Sequence, residues 1–269
     1  MEKACIQNLG LMITEDCNLD CRHCMRGKKC ARYMSKEVIE ATLSQCKYIR
    51  NLCICGGEPL MHLEPLSYII DCILKYNIRV DEISYTINGT IYKEEFITLL
   101  KRISNKLKDG TTLAISYDIY HLEEIAKHNL TEIYFENIKR YAKTPYFIGL
   151  KRLNHNLRLF NEGNAALLDP NSTIDLRPID YAMTYVGHSK HKLDLNGYCY
   201  IGPLISISVD GNITECDASF ENQKTKFNYG NVLTDSIVEV IKKKTPIVTP
   251  HKYSRKVKKI IYDFHHYNE

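Results

Sequence analysis

The sequence predicts an α/β fold built around a parallel β-sheet. Apolar strand segments and amphipathic helix segments alternate strictly through the first half of the chain, and glycine or asparagine turns follow several of the strands. In addition, 44% of the 269 residues are hydrophobic, which is enough for a sizeable core. Strict alternation favours parallel strands with right-handed crossovers and places a functional site at the carboxyl ends of the strands.

The hydrophobic periodicity of the segments, and the residue types that begin and end helices, predict the order of the elements along the chain. A first strand over residues 8–14 leads into a polar, cysteine-rich loop, and a helix begins at Ser35, whose hydroxyl can cap it, and carries Cys46 inward. Four further strands and three further helices complete the alternation. The strands are expected at 51–55, 82–87, 112–117 and 146–150, and the helices at 63–76, 94–107 and 130–141.

The pattern changes in the last third of the chain. Residues 173–178 suggest a strand, residues 204–209 alternate, and Asp210-Gly211 is a hairpin turn signal before a returning strand over 212–216. A final helix over 236–244 would end before Pro246. We therefore expect a core domain over residues 1–190 and a small hairpin and helix appendage over residues 191–269.

Composition excludes several classes of protein. The net charge of +4 comes from 36 basic and 32 acidic residues, so no basic face indicates nucleic acid. No run of residues is long and apolar enough for a membrane span, and the first residues lack a signal peptide, so we expect a cytoplasmic protein with no membrane partner. In that reducing compartment, the spacing of some of the 11 cysteines favours metal binding over disulfides.

Cys17, Cys21 and Cys24 form a Cys-x3-Cys-x2-Cys loop directly after the first strand. Thiolates are the usual ligands of iron-sulfur clusters, and three of them on a four-iron cluster leave one iron open for chemistry. A zinc site is the alternative, with His23 or Cys30 as its fourth ligand.

The loop and the next strand end together resemble the radical SAM superfamily. Residues 13–24 are similar to its cluster loop, and residues 56–59 are similar to its GGEP segment, which receives the amino group of S-adenosylmethionine (SAM). Residues 86–90 and 115–118 resemble its later TNG and SxD segments. This resemblance implies a partial (β/α)6 TIM-like barrel and a [4Fe-4S] cluster on the three cysteines. It also implies cofactor contacts from His23, Gly56, Gly57, Glu58, Pro59, Asn88, Ser116 and Asp118.

From this assignment, crowding at Gly57 is expected to weaken SAM binding and to leave the iron content intact.

A late stretch, residues 158–165, looks like the family's EGRA segment, with Asn164 where arginine is usual. Cys199, Gly211 and Cys216 resemble the opening of SPASM and twitch domains, yet no cysteine follows Cys216. We therefore expect a degenerate appendage without a second cluster, in which Cys199 and Cys216 are packed or paired.

By resemblance, the protein cleaves SAM reductively to a 5'-deoxyadenosyl radical that removes a substrate hydrogen, using an external electron donor such as flavodoxin or ferredoxin. The SPASM-like hairpin favours a ribosomally made peptide as substrate. The barrel, however, is expected to begin near Asn8 without the usual peptide-binding segment ahead of it. A small molecule (a sugar, nucleotide or cofactor precursor) is therefore the alternative. A non-catalytic metal-binding interaction module is the alternative from another class.

Overall fold

The computed structural model confirms the α/β fold and its parallel sheet, and it describes residues 3–153, 159–168, 171, 173–176, 182–186, 198–202 and 204–244. Five strands with intervening helices make up the first part of the chain. The strands are β1 (Lys3–Met12), β2 (Cys46–Cys55), β3 (Arg79–Ile87), β4 (Gly110–Ser116) and β5 (Phe147–Leu153). The helices are α1 (Lys36–Leu43), α2 (Glu64–Lys75), α3 (Glu94–Ser104), α4 (Ile119–Lys127) and α5 (Thr131–Ala142).

Shorter elements follow. They are β6 (Leu159–Phe160), β7 (Thr173–Ile174), β8 (Ala182–Val186), β9 (Tyr198–Gly202), β10 (Ile205–Ile207), β11 (Ile213–Thr214) and α6 (Ile237–Lys244). The main sheet has the strand order β11-β10-β1-β2-β3-β4-β5, and the neighbours from β10 to β5 all pair in parallel. The carboxyl ends of β1 to β4 therefore meet at one edge of the sheet. No closed barrel is formed by the described strands.

Two local predictions had to be corrected. Cys46 does not end the first helix, because the Ser44 N–H bonds back to Glu40 O and ends α1, and Cys46 then pairs with Ala4 as the first residue of β2. The second correction is α4, which the sequence analysis did not predict. Asp118 begins this helix by accepting a hydrogen bond from the His121 N–H.

The two faces of the sheet differ in chemistry, as the period of two along each strand requires. One face carries Leu52, Ile83 and Leu113, all buried in the core against helix residues such as Ile69 and Leu100. The other, here called the polar face, carries Gly10, Asn51, Cys53, Ser84 and Thr112 and, nearer the carboxyl ends, Cys55, Thr86 and Ser116. Ser84 Oγ donates to Asn51 Oδ1 at 3.0 Å across two strands. The apolar face thus builds the core, and the polar face leads to the candidate site.

The C-terminal hairpin and helix are present as predicted. β10 pairs in parallel with β1 through Leu9 and Ile205, so the hairpin extends the main sheet. Gly211 adopts a φ of +85° at the turn, which favours glycine. The division at residue 190 stays a prediction, because residues 187–197 lie outside the described part of the chain. None of the helices described is long and apolar enough to span a membrane.

The Ser35 cap gives a test of local stability. Its hydroxyl accepts a hydrogen bond from the Val38 N–H at 3.4 Å, so Ser35→Ala should lower the free energy of unfolding by about 1 kcal/mol. The control is Ser104→Ala, because Ser104 lies at the other end of a helix and its hydroxyl only donates to Lys101 O. Chemical denaturation of both variants measures the difference, and equal losses would exclude a capping role.

Candidate functional site

The three cysteines of the predicted cluster loop lie together after β1. Cys21 is buried, and Cys17 and Cys24 are half-buried. Backbone hydrogen bonds from Cys24 N to Cys21 O (3.0 Å) and from Gly27 N to Cys24 O (3.2 Å) curl the chain around the last two cysteines. The loop therefore presents three thiols at the carboxyl end of the sheet.

Burial makes the thiols of Cys17 and Cys21 hard to ionise. It raises the pKa of Cys17 to about 12, and it raises the pKa of Cys21, to which the negative charges of Cys24 and Cys17 add. Because thiolates bind iron and thiols do not, three anionic sulfurs here require positive charge beside them. The iron atoms of a cluster supply that charge, so this donor set fits the predicted cofactor.

The glycines after β2 pack directly against the cluster loop. Gly57 N donates to Thr14 O (2.8 Å), and Glu58 N donates to Asp16 O (2.7 Å). A Cβ atom added to Gly57 would lie 2.1 Å from Asp16 O and 3.2 Å from Cys17 Cβ. Gly57 therefore positions the backbone of the first cysteine, and we revise the expectation that crowding here would affect SAM binding alone.

Glu58 joins the ends of β2 and β3. Its buried carboxylate accepts hydrogen bonds from Leu60 N (3.0 Å) and Asn88 N (2.6 Å). Burial raises the pKa of Glu58 to about 7, although the two hydrogen bonds oppose the shift. Pro59 is also buried, as the first residue of a short 3-10 helix. Glu58 and Pro59 thus support the backbone that follows β2, and their contact with the cofactor stays a prediction.

Asn88 ties the end of β3 to the cluster loop. Its Nδ2 donates to Asn18 Oδ1 (2.8 Å) and lies 3.9 Å from Cys17 Sγ. Its Oδ1 accepts hydrogen bonds from the Thr90 N–H and hydroxyl. The side chain is thus engaged on both sides by the protein, which gives Asn88 a positioning role in addition to the predicted cofactor contact.

The end of β4 brings two further predicted residues, Ser116 and Asp118, to the loop that carries His23. Ser116 O accepts a hydrogen bond from the Tyr134 hydroxyl (2.7 Å), and Asp118 Oδ1 lies 3.4 Å from His23 Nε2. Burial alone would raise the pKa of Asp118, but the hydrogen bond and charge of His23 bring it below its usual value. The other oxygen, Asp118 Oδ2, is buried and has no hydrogen-bond partner among the described residues. It is therefore an acceptor that a polar cofactor group can use.

His121 also belongs to the site, although it was not among the residues predicted from the sequence. Its Nδ1 lies 3.5 Å from Cys21 Sγ, and its Nε2 lies 2.9 Å from Asn88 O. Because a carbonyl oxygen only accepts, Nε2 carries a proton and donates to Asn88 O, and Nδ1 faces the Cys21 thiol. The sequence feature that could have identified His121 is its position three residues after Asp118, which places it in the first turn of helix α4.

A cavity of about 170 Å³ lies at the centre of these groups. It brings together all the predicted site residues except Glu58, Pro59 and Asp118, and it adds Arg26, Cys55 and His121. The predicted residues that line it are Cys17, Cys21, His23, Cys24, Gly56, Gly57, Asn88 and Ser116.

The late EGRA-like segment docks on the cluster loop. Asn164 N donates to Cys24 O (2.8 Å), and Glu162 accepts a hydrogen bond from Ser219 N (2.9 Å). The segment therefore joins the loop to the C-terminal part of the chain. Arg158, at the start of the predicted stretch, lies outside the described residues.

The two late cysteines are far apart. Cys199 pairs with Ala4 in the β9–β1 register, whereas a Cβ atom added to Gly10 would lie 3.7 Å from Cys216 Sγ. Ala4 and Gly10 are six residues apart on one strand, or about 20 Å. Since the α-carbons of a disulfide lie about 5.5–6 Å apart, Cys199 and Cys216 are not paired with each other.

A second cavity, of about 570 Å³, lies beside Cys216. Apolar side chains and carboxylates share its lining, and the described lining residues include no lysine or arginine. They are Phe160, Ile174, Asp175, Leu176, Glu215, Cys216 and Asp217.

Comparison with known proteins gives one family and several partial relatives. A family model described as the Radical SAM superfamily matches residues 11–154. A GTP 3',8-cyclase of Aliarcobacter butzleri is 28% identical over 159 residues, covering 54% of this chain and 45% of that protein. A probable GTP 3',8-cyclase of Methanocaldococcus jannaschii is 30% identical over 166 residues, covering 57% and 52%. The chain thus spans about half the length of these curated relatives.

Solved structures show more distant similarity. Native anSMEcpe with bound AdoMet and a Cp18Cys peptide aligns with a TM-score of 0.49 and 15% identity, covering 88% of this chain and 80% of that one. Streptococcus suis SuiB bound to its precursor peptide SuiA aligns with a TM-score of 0.42 and 12% identity, covering 88% and 64%. The ligands in these structures are properties of those proteins.

The contact of Gly57 with the loop predicts an effect on cluster binding. Gly57→Ala should displace the backbone at Asp16 and Cys17 and lower the iron content after anaerobic reconstitution to well under half that of the parent. The control is Gly149→Ala, because a Cβ atom there would meet only Thr112 Cγ2, at 3.6 Å. Full iron content together with weakened SAM binding in Gly57→Ala would restore the original assignment.

Burial of Glu58 predicts a pH dependence. Its folded-state pKa, about 7, lies above the ordinary value of 4.5, so its contribution to stability is present below pH 4.5 and is lost as the pH rises to about 7. Glu58→Gln cannot ionise, so the melting temperature of the parent relative to this variant should fall between pH 4.5 and 7. Thermal melts of cluster-free protein measure this, and a pH-independent difference would exclude the shift.

Proposed function

Because the chain belongs to the Radical SAM superfamily, we propose that this enzyme of radical chemistry acts on a peptide held between the two cavities. Enzymes of this superfamily use a [4Fe-4S] cluster and SAM. The observation that carries the proposal is the convergence of Cys17, Cys21 and Cys24 with the ends of β2, β3 and β4 around one cavity.

Each part of the site has a task in this proposal. Cys17, Cys21 and Cys24 hold the cluster, and Gly56, Gly57, Asn88, Ser116 and Asp118 hold SAM. When bound, these cofactors supply a 5'-deoxyadenosyl radical that removes a hydrogen atom from the substrate.

The surrounding side chains orient these groups. Asp118 keeps one buried carboxylate oxygen for a polar group of SAM, and His23 holds the other. Glu58 and Asn88 fix the loop that carries the cysteines, and the buried walls of the site exclude water from the radical.

Charge in the larger cavity supports a peptide substrate. Asp175, Glu215 and Asp217 line it beside apolar Phe160 and Leu176. Such a lining attracts a cationic side chain with an apolar stem, whereas three carboxylates repel a nucleoside triphosphate.

A small molecule is the second candidate, because the curated relatives described above carry the name GTP 3',8-cyclase. Their match covers little more than half of this chain. This chain in turn covers only about half of each of those proteins. The sequence match therefore supports the chemistry more than the substrate.

A basic surface next to the cluster loop supports an external electron donor. Lys28 and Lys29 are exposed a few residues after Cys24. Flavodoxins and ferredoxins are acidic one-electron donors, and electrostatic attraction would bring them to this edge of the loop.

The proposal predicts cofactor-dependent chemistry. Anaerobically reconstituted protein should carry about four irons and four sulfides and form 5'-deoxyadenosine from SAM and dithionite. Replacing Cys17, Cys21 and Cys24 together by alanine should abolish the product and the absorption near 400 nm while the circular dichroism spectrum is kept, because the cysteines lie in a loop and not in the strands and helices that form the sheet. Cys72→Ala is the control, since Cys72 packs in α2. Product formation by the triple variant would contradict the proposal.

Substrate class is tested in the same assay. A set of peptides with lysine or arginine next to an apolar residue is compared with GTP, and mass spectrometry records changes of the substrate. We expect peptide to stimulate deoxyadenosine formation more than GTP does. A change in GTP alone would replace the peptide by the small-molecule candidate.

A further inference from the structure

Two stacked aromatic rings, here called the aromatic pair, lie against the cluster loop on the side of Cys17. They are Tyr33 and His62, with 4.8 Å between the ring centroids and 28° between the ring planes. His62 Nε2 donates to Asp16 Oδ2 at 3.0 Å, and Asp16 directly precedes Cys17. A chain of contacts therefore joins the Tyr33 ring to the backbone of the first cysteine.

The backbone holds Tyr33 in this position. Glu15 N donates to Arg32 O (2.9 Å), and Met34 N donates to Ile13 O (2.8 Å), so the chain after the cysteines returns antiparallel to the end of β1. The Tyr33 side chain is nevertheless 47% exposed and does not pack against the core. An ordered backbone thus presents a large aromatic ring to solvent.

The surface around the aromatic pair is basic. Residues 28–36 carry three exposed lysines, Lys28, Lys29 and Lys36, and no carboxylate. None of these lysines forms an ion pair with a carboxylate of the described residues. Glu37 follows directly in the chain and offsets one of the charges. The remaining positive charge attracts a partner with an acidic surface.

The side of the cluster loop that faces α4 differs in both respects. There the Arg22 guanidinium covers the Tyr120 ring at 4.4 Å from its centroid and pairs with Glu123 at 3.1 Å. Asp20, two residues before Arg22, is exposed as well. The aromatic ring on this side is already covered, and the carboxylates repel an acidic partner.

We propose that the aromatic pair and the three lysines form the docking surface for an acidic one-electron carrier protein, which delivers its electron on the Cys17 side of the cluster. In this step the carrier loses one electron and the cluster gains it, and no bond or proton is transferred. The inference rests on the proposed function, because it requires the cluster that the three loop cysteines hold.

The size and chemistry of this surface suit a short-lived redox complex. Such complexes are small and commonly bury less than about 1,200 Å² in total. Aromatic residues near the centre of an interface contribute much of the binding energy, and charges at its rim raise the association rate. Tyr33 and the surrounding lysines supply these two parts. The short path to Cys17 matters because electron tunnelling slows steeply with distance.

The test measures reduction of the cluster in the full-length, anaerobically reconstituted protein, without SAM or substrate. The donors are reduced flavodoxin, reduced ferredoxin and dithionite, and stopped-flow absorbance follows the oxidation of each donor. We expect Tyr33→Ala to slow reduction by both carrier proteins about tenfold. The rate with dithionite should stay unchanged, because this small ion needs no docking surface.

Further variants separate docking from support of the loop. Tyr33→Phe keeps the ring and should be reduced by all three donors at the rate of the parent. Replacing Lys28, Lys29 and Lys36 together by glutamine should slow only the two carrier proteins and weaken the effect of salt on their rates. Phe135→Ala is the control, because Phe135 is a comparably exposed ring (40%) on α5, and all three rates should be kept.

Cross-linking of the unaltered protein makes the test independent of how a variant folds. A carbodiimide joins lysines of the protein to carboxylates of bound flavodoxin, and mass spectrometry identifies the linked lysines. We expect links at Lys28, Lys29 or Lys36. Links confined to Lys139 and Lys143, near the end of α5, would overturn the proposal.

The rates also give results that would overturn the proposal. Equal slowing of all three donors in Tyr33→Ala would make Tyr33 a support of the cluster loop, and unchanged rates with both carriers would place docking elsewhere. A parent that dithionite reduces and neither carrier reduces has no such surface. Each of these results leaves the proposed function standing. A parent that the carriers reduce but that forms no deoxyadenosine from SAM would contradict the proposed function alone.

Discussion

The candidate site depends on a circuit of hydrogen bonds that fastens the cysteine loop to the ends of neighbouring parallel strands. Thr14 and Asp16 accept hydrogen bonds from the backbone after β2. Glu58 links that backbone to Asn88 at the end of β3, and Asn88 returns to the loop through Asn18. Because the circuit closes, the sheet determines where the cysteine backbones lie.

The C-terminal part of the chain also holds the loop. Arg32, within the loop, donates to Glu15 (3.1 Å) and to Asp210 of the hairpin turn (2.7 Å). Phe220 N donates to Arg26 O (3.0 Å). A single exposed ion pair contributes little, but Glu15 is buried, and Arg32 and Lys224 both form ion pairs with it. The loop is therefore held by both the first strands and the hairpin. A change in either segment is expected to shift the positions of the cysteines.

Features written in consecutive residues could be predicted from the sequence, and features made by distant residues could not. The Ser35 cap, the cysteine spacing and the glycine pair after β2 are local patterns with local physical causes. The hydrogen bond between the side chains of Asn88 and Asn18 arises from the order of the strands, which is not visible in the sequence around either residue. His121 was missed for another reason: α4 has an exposed Ile119 at its start, which obscures its amphipathic pattern.

The residues on the apolar face and those on the polar face of the sheet are under different constraints during evolution. Side chains such as Leu52 and Ile83 are held by dense packing, so most changes there cost stability. Cys53, Ser84 and Thr112 lie on the polar face with small side chains and are not part of the apolar core, so replacing them changes that face with little effect on the core. A lineage built on this scaffold can therefore acquire a new substrate by a few substitutions on one face of three strands, while the machinery at the strand ends stays unchanged.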